Sequence, residues 1–143
     1  MLDEQHRDFA AFRERGNHIA DVLDDVAVLA RGAAAIAAAA KSGAAAVVIP
    51  KVGSVAYVNQ VSTALDAAGA PASMTIWAMI ETPTAIFDAR AIAAHPRVNV
   101  LVMGTNDLAR ELRSMLGAAG RHPLVPHLAT ALAAAREADI VIL

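Results

Sequence analysis

Met74-Thr75-Ile76-Trp77-Ala78-Met79-Ile80-Glu81-Thr82-Pro83 decides the fold. From Met74 to Ile80 the run is almost continuously apolar, as a strand buried on both faces must be, whereas a half-exposed strand would alternate. Thr82 and Pro83 fit the N-cap and first position of a helix. That helix carries Ile86, Phe87 and Ile92 and ends before His95-Pro96. A buried strand passing through a capped joint into an amphipathic helix is one βα unit, and Glu81 stands at the joint.

The same pattern repeats on either side. Upstream, Ala45 to Ile49 is a strand closed by Pro50, and a helix with Ser54 as N-cap runs to Ala68 and stops at Gly69, with Pro71 beyond. Downstream, Val98 to Met103 is a strand, followed by a helix expected from about Asp107 to Leu116. Gly117, Gly120 and Arg121-His122-Pro123 break the chain, a helix runs from about Leu124 to Arg136, and Asp139 to Leu143 starts a fourth strand. Strands joined through helices pair in parallel, which gathers all the helix starts on one edge of the sheet. A strand with nothing after it is an unusual natural terminus, so a partial domain is expected.

Residues 1–41 differ in character. Residues 4–15 are charge-rich, Gly16-Asn17 interrupts them, and Ile19 to Ala40 reads as one long helix or two, with no strand. The expected division is a helical segment over 1–41 and a βα domain over 42–143. Asp21, Asp24 and Asp25 read as a solvated helix face.

Composition narrows the chemistry. The 143 residues are 57% hydrophobic but only 3% aromatic, so alanine supplies much of the apolar content and helices can pack closely on a sheet. A net charge of −2 offers no basic stripe, so nucleic acid is not an expected partner. The absence of cysteine excludes disulfides, thiolate metal sites and a cysteine nucleophile. The amino terminus is charged where a secretory peptide is apolar, and Gly32 to Ala40 falls well short of a bilayer span, so a cytoplasmic protein without a membrane partner is expected.

Glu81 and Asp107 are the candidate site. Each follows an apolar run at the carboxyl end of a predicted strand, where open sheets and barrels of this class place their chemistry. Adjacent strands lie about 4.8 Å apart, so the two carboxylates can converge on one cation. Taken singly, Glu81 would serve as an acceptor near the Pro83 helix and Asp107 as an N-cap. An all-oxygen pair suits Mg²⁺, which keeps several waters that substrate oxygens can replace. A 2-oxo acid bound that way would have its carbonyl polarised for making or breaking the adjoining carbon-carbon bond.

Lys51, after Ile49-Pro50, ends the neighbouring strand on the same edge, and reads equally as a solvated loop lysine or as a catalytic and substrate-binding cation beside a substrate carboxylate or thioester oxygen. Gly104 and Thr105 are placed against the substrate, Gly104 because it lets backbone approach a ligand. Gly53 and Gly104 both read as tight strand exits. His6, His18, His95, His122 and His127 show no metal-ligand spacing and read as structural. Arg110 and Glu111 read as surface ion-pair partners, and Trp77 as core.

Ile49-Pro50-Lys51-Val52, Met79-Ile80-Glu81-Thr82-Pro83, Met103-Gly104-Thr105-Asn106-Asp107-Leu108-Ala109 and Arg121-His122-Pro123-Leu124, in this order, resemble the HpcH/HpaI aldolase and citrate lyase β-subunit family over about residues 43–143. The resemblance is closest to its citrate lyase β-like, CoA-ester lyase branch. It implies a (β/α)₈ TIM barrel, of which this chain holds about four of eight strands. It also implies Mg²⁺-dependent cleavage of acyl-CoA esters such as citryl-CoA or malyl-CoA, Glu81 and Asp107 as metal carboxylates, and a motif lysine at Lys51. Family members also carry an amino-terminal acidic strand and a substrate-holding arginine. Val22-Leu23-Asp24-Asp25-Val26 matches the first only superficially and lies too close to Pro50, and no residue is placed for the second.

The expectation is therefore an incomplete or inactive CoA-ester lyase acting on an oxo acid and an acyl-CoA, with its base supplied from elsewhere, and associating into homo-oligomers through open sheet edges. The alternatives are a pyruvate-type aldolase of the same superfamily, or a non-catalytic oligomerising remnant.

Overall fold

A computed structural model describes residues 26–28, 32–114 and 120–143. The acidic residues Asp21, Asp24 and Asp25, together with His6 and His18, lie outside the described residues. The chain runs β1 (Val26–Val28), α1 (Ala33–Ala40), β2 (Ala46–Ile49), α2 (Val55–Ala67), β3 (Thr75–Ile80), α3 (Pro83–Ala93), β4 (Val98–Met103), α4 (Thr105–Glu111), a 3₁₀ turn (His122–Leu124), α5 (Val125–Glu137) and β5 (Val141–Ile142). All five strands pair in parallel, in sequential order.

The four expected strands are present, and the joints between them are built as their residues dictate. Ser54 Oγ accepts the Tyr57 N–H and Thr82 Oγ1 accepts the Ala85 N–H, with Pro83 opening α3. Asp88, reaching across from α3, adds a second cap to α2 by accepting the Val55 N–H at 2.6 Å. Two boundaries move for local reasons. Asp139, at φ 53, closes α5 in the left-handed region, so β5 starts at Val141 and not at Asp139. Likewise α4 spans Thr105–Glu111, not 107–116, and Arg113 at φ 53 ends it, with the Ser114 N–H returning to the Ala109 carbonyl.

The larger correction is β1. Val26–Val28 pairs in register with Ala46, Val47 and Val48, inside a stretch read as helix without a strand. Helical periodicity there came mostly from alanine, which discriminates poorly between faces, while the backbone of Val26–Val28 gains a ladder along β2. Gly32, at φ 133, then adopts a backbone that other residues rarely reach and separates the strand from α1.

One face of the sheet packs against helices. Val47, Ile49, Ile76, Ala78, Ile80 and Leu101 meet Val58, Val61 and Leu65 of α2, Ile86 and Ile92 of α3, Leu108 of α4 and Ala131 and Ala135 of α5 in one continuous core. On the other face Ala46, Val48, Trp77 and Val100 form a second buried cluster, flanked by Met79, Val102 and Val141. Burial on both sides is why the strands read as unbroken apolar runs. The second face is the one a barrel turns inward.

Asn99 sets the phase of the site. Ile76 pairs with Val98, but Trp77 pairs with Val100, so β4 carries one extra residue at Asn99, which is exposed. From there Ile80 pairs with Met103, and continuing the register sets Glu81 beside Gly104. Without the bulge Glu81 would face the side chain of Met103. Among the described residues no helix is long and apolar enough to cross a membrane.

At the opposite, amino-terminal edge, Arg97 is a staple. Its guanidinium side chain, 9% exposed, donates to the carbonyls of Met74, Ser62 and Pro71 and to Asp66 Oδ1 at 2.6 Å, tying the end of α2 to the entry of β3. Arg97→Ala is expected to cost about 3 kcal/mol in urea unfolding, because it leaves several carbonyls without their charged donor. Asp66→Ala, whose carboxylate is largely exposed, should cost about 1 kcal/mol or less. Equal losses from the two would contradict the staple.

His95 Nδ1 accepts the Arg97 N–H at 3.1 Å. Burial, and then the Arg97 charge, hold its pKa below the ordinary 6.5. Between the two pKa values the unfolded chain binds the extra proton, so this contribution is complete above about pH 6.5 and is lost as pH falls through the lowered value. Asn at 95 keeps an oxygen acceptor for the amide two residues on but does not titrate. His95→Asn is therefore expected to preserve stability at neutral pH and to flatten its decline on acidification, as read from thermal melts across pH.

Candidate active site at the carboxyl edge of the sheet

Glu81 is the residue from which the site is built. It directly follows the last residue of β3, and at 4% exposure it is the one buried charged residue among those described. A carboxylate removed from water must find compensating donors. Glu81 Oε1 accepts the backbone N–H of Lys51 at 2.6 Å, a short bond of the kind an ionised acceptor makes. The partner comes from the exit of β2 and not from the start of α3, so the simple helix-start role for Glu81 is not the one observed.

Lys51 reaches this position through an uncommon backbone. Its φ of 51 puts a residue with a Cβ in the left-handed region, at a cost of about 1–2 kcal/mol. That turn, immediately after Pro50, aims the Lys51 N–H across to Glu81. Strain of this sort persists where surrounding structure fixes it, and it concentrates at functional sites. Sequence reading of Ile49-Pro50-Lys51-Val52 anticipated a lysine side chain at the edge and missed the role of its amide.

Gly104 closes the other side. A Cβ placed on it would lie 2.5 Å from Glu81 Cβ and 2.6 Å from Glu81 Oε2. The Gly104 N–H meanwhile continues the ladder to the Ile80 carbonyl at 3.1 Å. Gly53, paired with Gly104 in the sequence reading as a tight exit, has nothing within 4 Å of such a Cβ and no positive φ, so its space is open. The two glycines therefore differ: Gly104 is sterically required and Gly53 is not.

Asp107 stands in the first turn of α4, whose N-cap is Gly104, so it is not the N-cap itself. Its carboxylate is favoured there by the helix dipole. Oδ1 pairs with Arg110 Nη2 at 2.9 Å, one turn on, and the Asp107 side chain is 31% exposed. Arg110 thus has the ion-pair role expected of it. Thr105 opens the same helix, half-buried. The structure brings Lys51, Glu81 and Gly104 into direct contact, and carries Thr105 and Asp107 on the turn that starts from Gly104. Among the described residues no three His, Asp or Glu side chains gather as a ready metal cage. Trp77, on the same face of β3 as Met79 in the inner cluster, is core as expected, but its Nε1 is a buried donor without a partner among the described residues.

Residues 26–143 match the family model described as HpcH/HpaI aldolase/citrate lyase. Over 79 residues, 55% of this chain, the sequence is 44% identical to a (3S)-malyl-CoA thioesterase of Cereibacter sphaeroides, and the match covers 26% of that protein. The chain thus spans about a quarter of the length of this relative. An HpcH/HpaI aldolase/citrate lyase family protein from Burkholderia cenocepacia superposes with a TM-score of 0.71 at 20% identity, over 82% of this chain and 56% of that one. The protein CitE from Mycobacterium tuberculosis, solved in complex with magnesium and acetate, superposes with a TM-score of 0.61 at 22% identity, over 82% of this chain and 48% of that one. These likenesses establish the fold, a partial TIM barrel of parallel βα units.

The left-handed backbone of Lys51 generates a test that needs no substrate. Lys51→Gly keeps the N–H that Glu81 uses and relieves the backbone, so stability should stay within about 0.5 kcal/mol after the added chain entropy is counted. Lys51→Val keeps the N–H but forces a β-branched residue to φ 51, and should cost about 2 kcal/mol. Urea unfolding in which valine is tolerated as well as glycine would contradict the assigned backbone.

Proposed function

Because the chain belongs to the HpcH/HpaI aldolase/citrate lyase family, we propose that this sheet edge is part of a Mg²⁺-dependent carbon-carbon lyase site for CoA esters of hydroxy acids, of the malyl-CoA or citryl-CoA type. The observation that carries the proposal is Glu81: a buried carboxylate at the carboxyl edge, with one oxygen fixed by Lys51 N–H and the other beside a glycine.

The residues fit a hard cation. Glu81 and Asp107 offer only oxygen, and the space beside Glu81 Oε2 is a cradle that a Cβ on Gly104 would fill. In this reading Glu81 and Asp107 would hold Mg²⁺, with the Asp107 carboxylate, now paired with Arg110, available to it. When bound, the ion supplies charge that polarises a substrate carbonyl. Lys51 places its ammonium beside the substrate carboxylate or thioester oxygen, and Gly104 and Thr105 line the approach to it. The buried seat of Glu81 excludes water and keeps its charge in place without reorganisation. The substrates in this reading are an oxo acid and an acyl-CoA.

A second reading is favoured by the thioesterase relative: hydrolysis of the thioester bond in place of carbon-carbon cleavage. The two are separable by product. Cleavage of malyl-CoA yields glyoxylate and acetyl-CoA, whereas hydrolysis yields malate and free CoA. The chain has no cysteine, so a thiol reagent reports CoA alone. With malyl-CoA and Mg²⁺, an enzyme in which the rest of the barrel completes this edge is expected to give glyoxylate while the chain alone turns over little. In the complete enzyme Glu81→Gln or Asp107→Asn should each lower the rate by about 10²-fold or more with little change in melting temperature. Free CoA without glyoxylate would favour the thioesterase, no product at all from the completed enzyme the non-catalytic remnant, and pyruvate plus an aldehyde from a 4-hydroxy-2-oxo acid, with malyl-CoA untouched, the pyruvate aldolase.

A further inference from the structure

We propose that Gly104 is a positioning residue for the Glu81 carboxylate, and that with the Lys51 amide it restricts Glu81 to presenting a single oxygen, Oε2, to a ligand. The ligand half of this inference rests on the reading of Glu81 as a metal carboxylate; the positioning half does not.

The geometry is restrictive on both sides. Oε1 is taken by the Lys51 N–H at 2.6 Å, leaving Oε2 as the oxygen next to Gly104. A methyl group on Gly104 would meet Oε2 at 2.6 Å, Cδ at 3.3 Å and Cβ at 2.5 Å. A rotamer change can move Oε2 and Cδ, but Cβ is fixed by the backbone of Glu81. The clash is therefore relieved only if the exits of β3 and β4 separate, or if the Glu81 backbone turns and takes Oε1 off the Lys51 amide. The φ of Gly104 is −79, which any residue adopts, so backbone freedom is not the reason for glycine there. The reason is the space that Glu81 occupies. The Asn99 bulge in β4 brings the glycine to that position in the register.

The test uses the full chain and two readouts that need no turnover. In a ¹H–¹⁵N correlation spectrum the Lys51 amide, bonded to a carboxylate at 2.6 Å, should resonate far downfield. Gly104→Ala should return it toward ordinary amide values, whereas Gly53→Ala, with open space around its Cβ, should leave it in place. Mn²⁺ affinity, read by electron paramagnetic resonance, should fall about tenfold or more in Gly104→Ala and stay unchanged in Gly53→Ala. Loss of the Lys51 signature in Gly104→Ala while the wild-type chain binds no Mn²⁺ would reject the metal reading and uphold the positioning role. If Gly104→Ala is too unstable for these spectra, its folding is compared with and without Glu81→Gly, by melting temperature or, where the single variant does not fold, by recovery of a cooperative melt. Removal of Glu81 Cβ should recover most of it. An unmoved Lys51 amide in a folded Gly104→Ala chain, or an equal loss in both backgrounds, would overturn the proposal.

Discussion

The charge of Glu81 has to be held at the end of β3 with almost no water around it, and the bond from the Lys51 amide to Oε1 is what holds it. That bond links the exits of two adjacent strands from positions far apart in sequence. It asks the backbone of Lys51 to turn into the left-handed region, a cost tolerated because a buried carboxylate without a donor would cost more. The rest of the edge is arranged around the result. Gly104 gives up a side chain to make room, and α4 begins there, so its first turn carries Thr105 and Asp107 directly beyond the seat of Glu81.

Packing sets this edge from below. The inner cluster of Ala46, Val48, Trp77 and Val100 and the helix-facing core fix β2, β3 and β4 on both faces, so the residues that follow each strand have little freedom. The extra residue at Asn99 shifts β4 by one position against β3, which places Val98 on the helix side, Val100 on the inner side and Gly104, not Met103, beside Glu81. At the opposite edge Arg97 joins α2 to β3 through backbone carbonyls, a stabilising device remote from Glu81. In barrels of this kind one end carries function and the other stability.

Much of this was legible in the sequence because it is local. Ser54, Thr82 and Pro83 announce helix starts, and unbroken apolar runs announce strands buried on two faces, so the strands at Ala46–Ile49, Thr75–Ile80 and Val98–Met103 fall where those signals put them. What escaped was non-local. Val26–Val28 becomes a strand only because β2 offers it a partner. The bulge at Asn99, the left-handed Lys51 and the contact between Gly104 and Glu81 all depend on how two strands meet. The motif Met103-Gly104-Thr105-Asn106-Asp107 marked Gly104 as a residue near a ligand. A Cβ on it would meet the Glu81 side chain, a contact the motif does not announce.

The central claim is that Glu81, seated by Lys51 and Gly104, shares a divalent cation with Asp107, and diffraction from crystals grown with Mn²⁺ tests it most directly. The account predicts one anomalous peak about 2.2 Å from Glu81 Oε2 and from an Asp107 oxygen, with Lys51 N–H still on Oε1 and Arg110 displaced from Asp107. A peak elsewhere, or a metal-free edge in which Asp107 remains paired with Arg110 at saturating Mn²⁺, would contradict it.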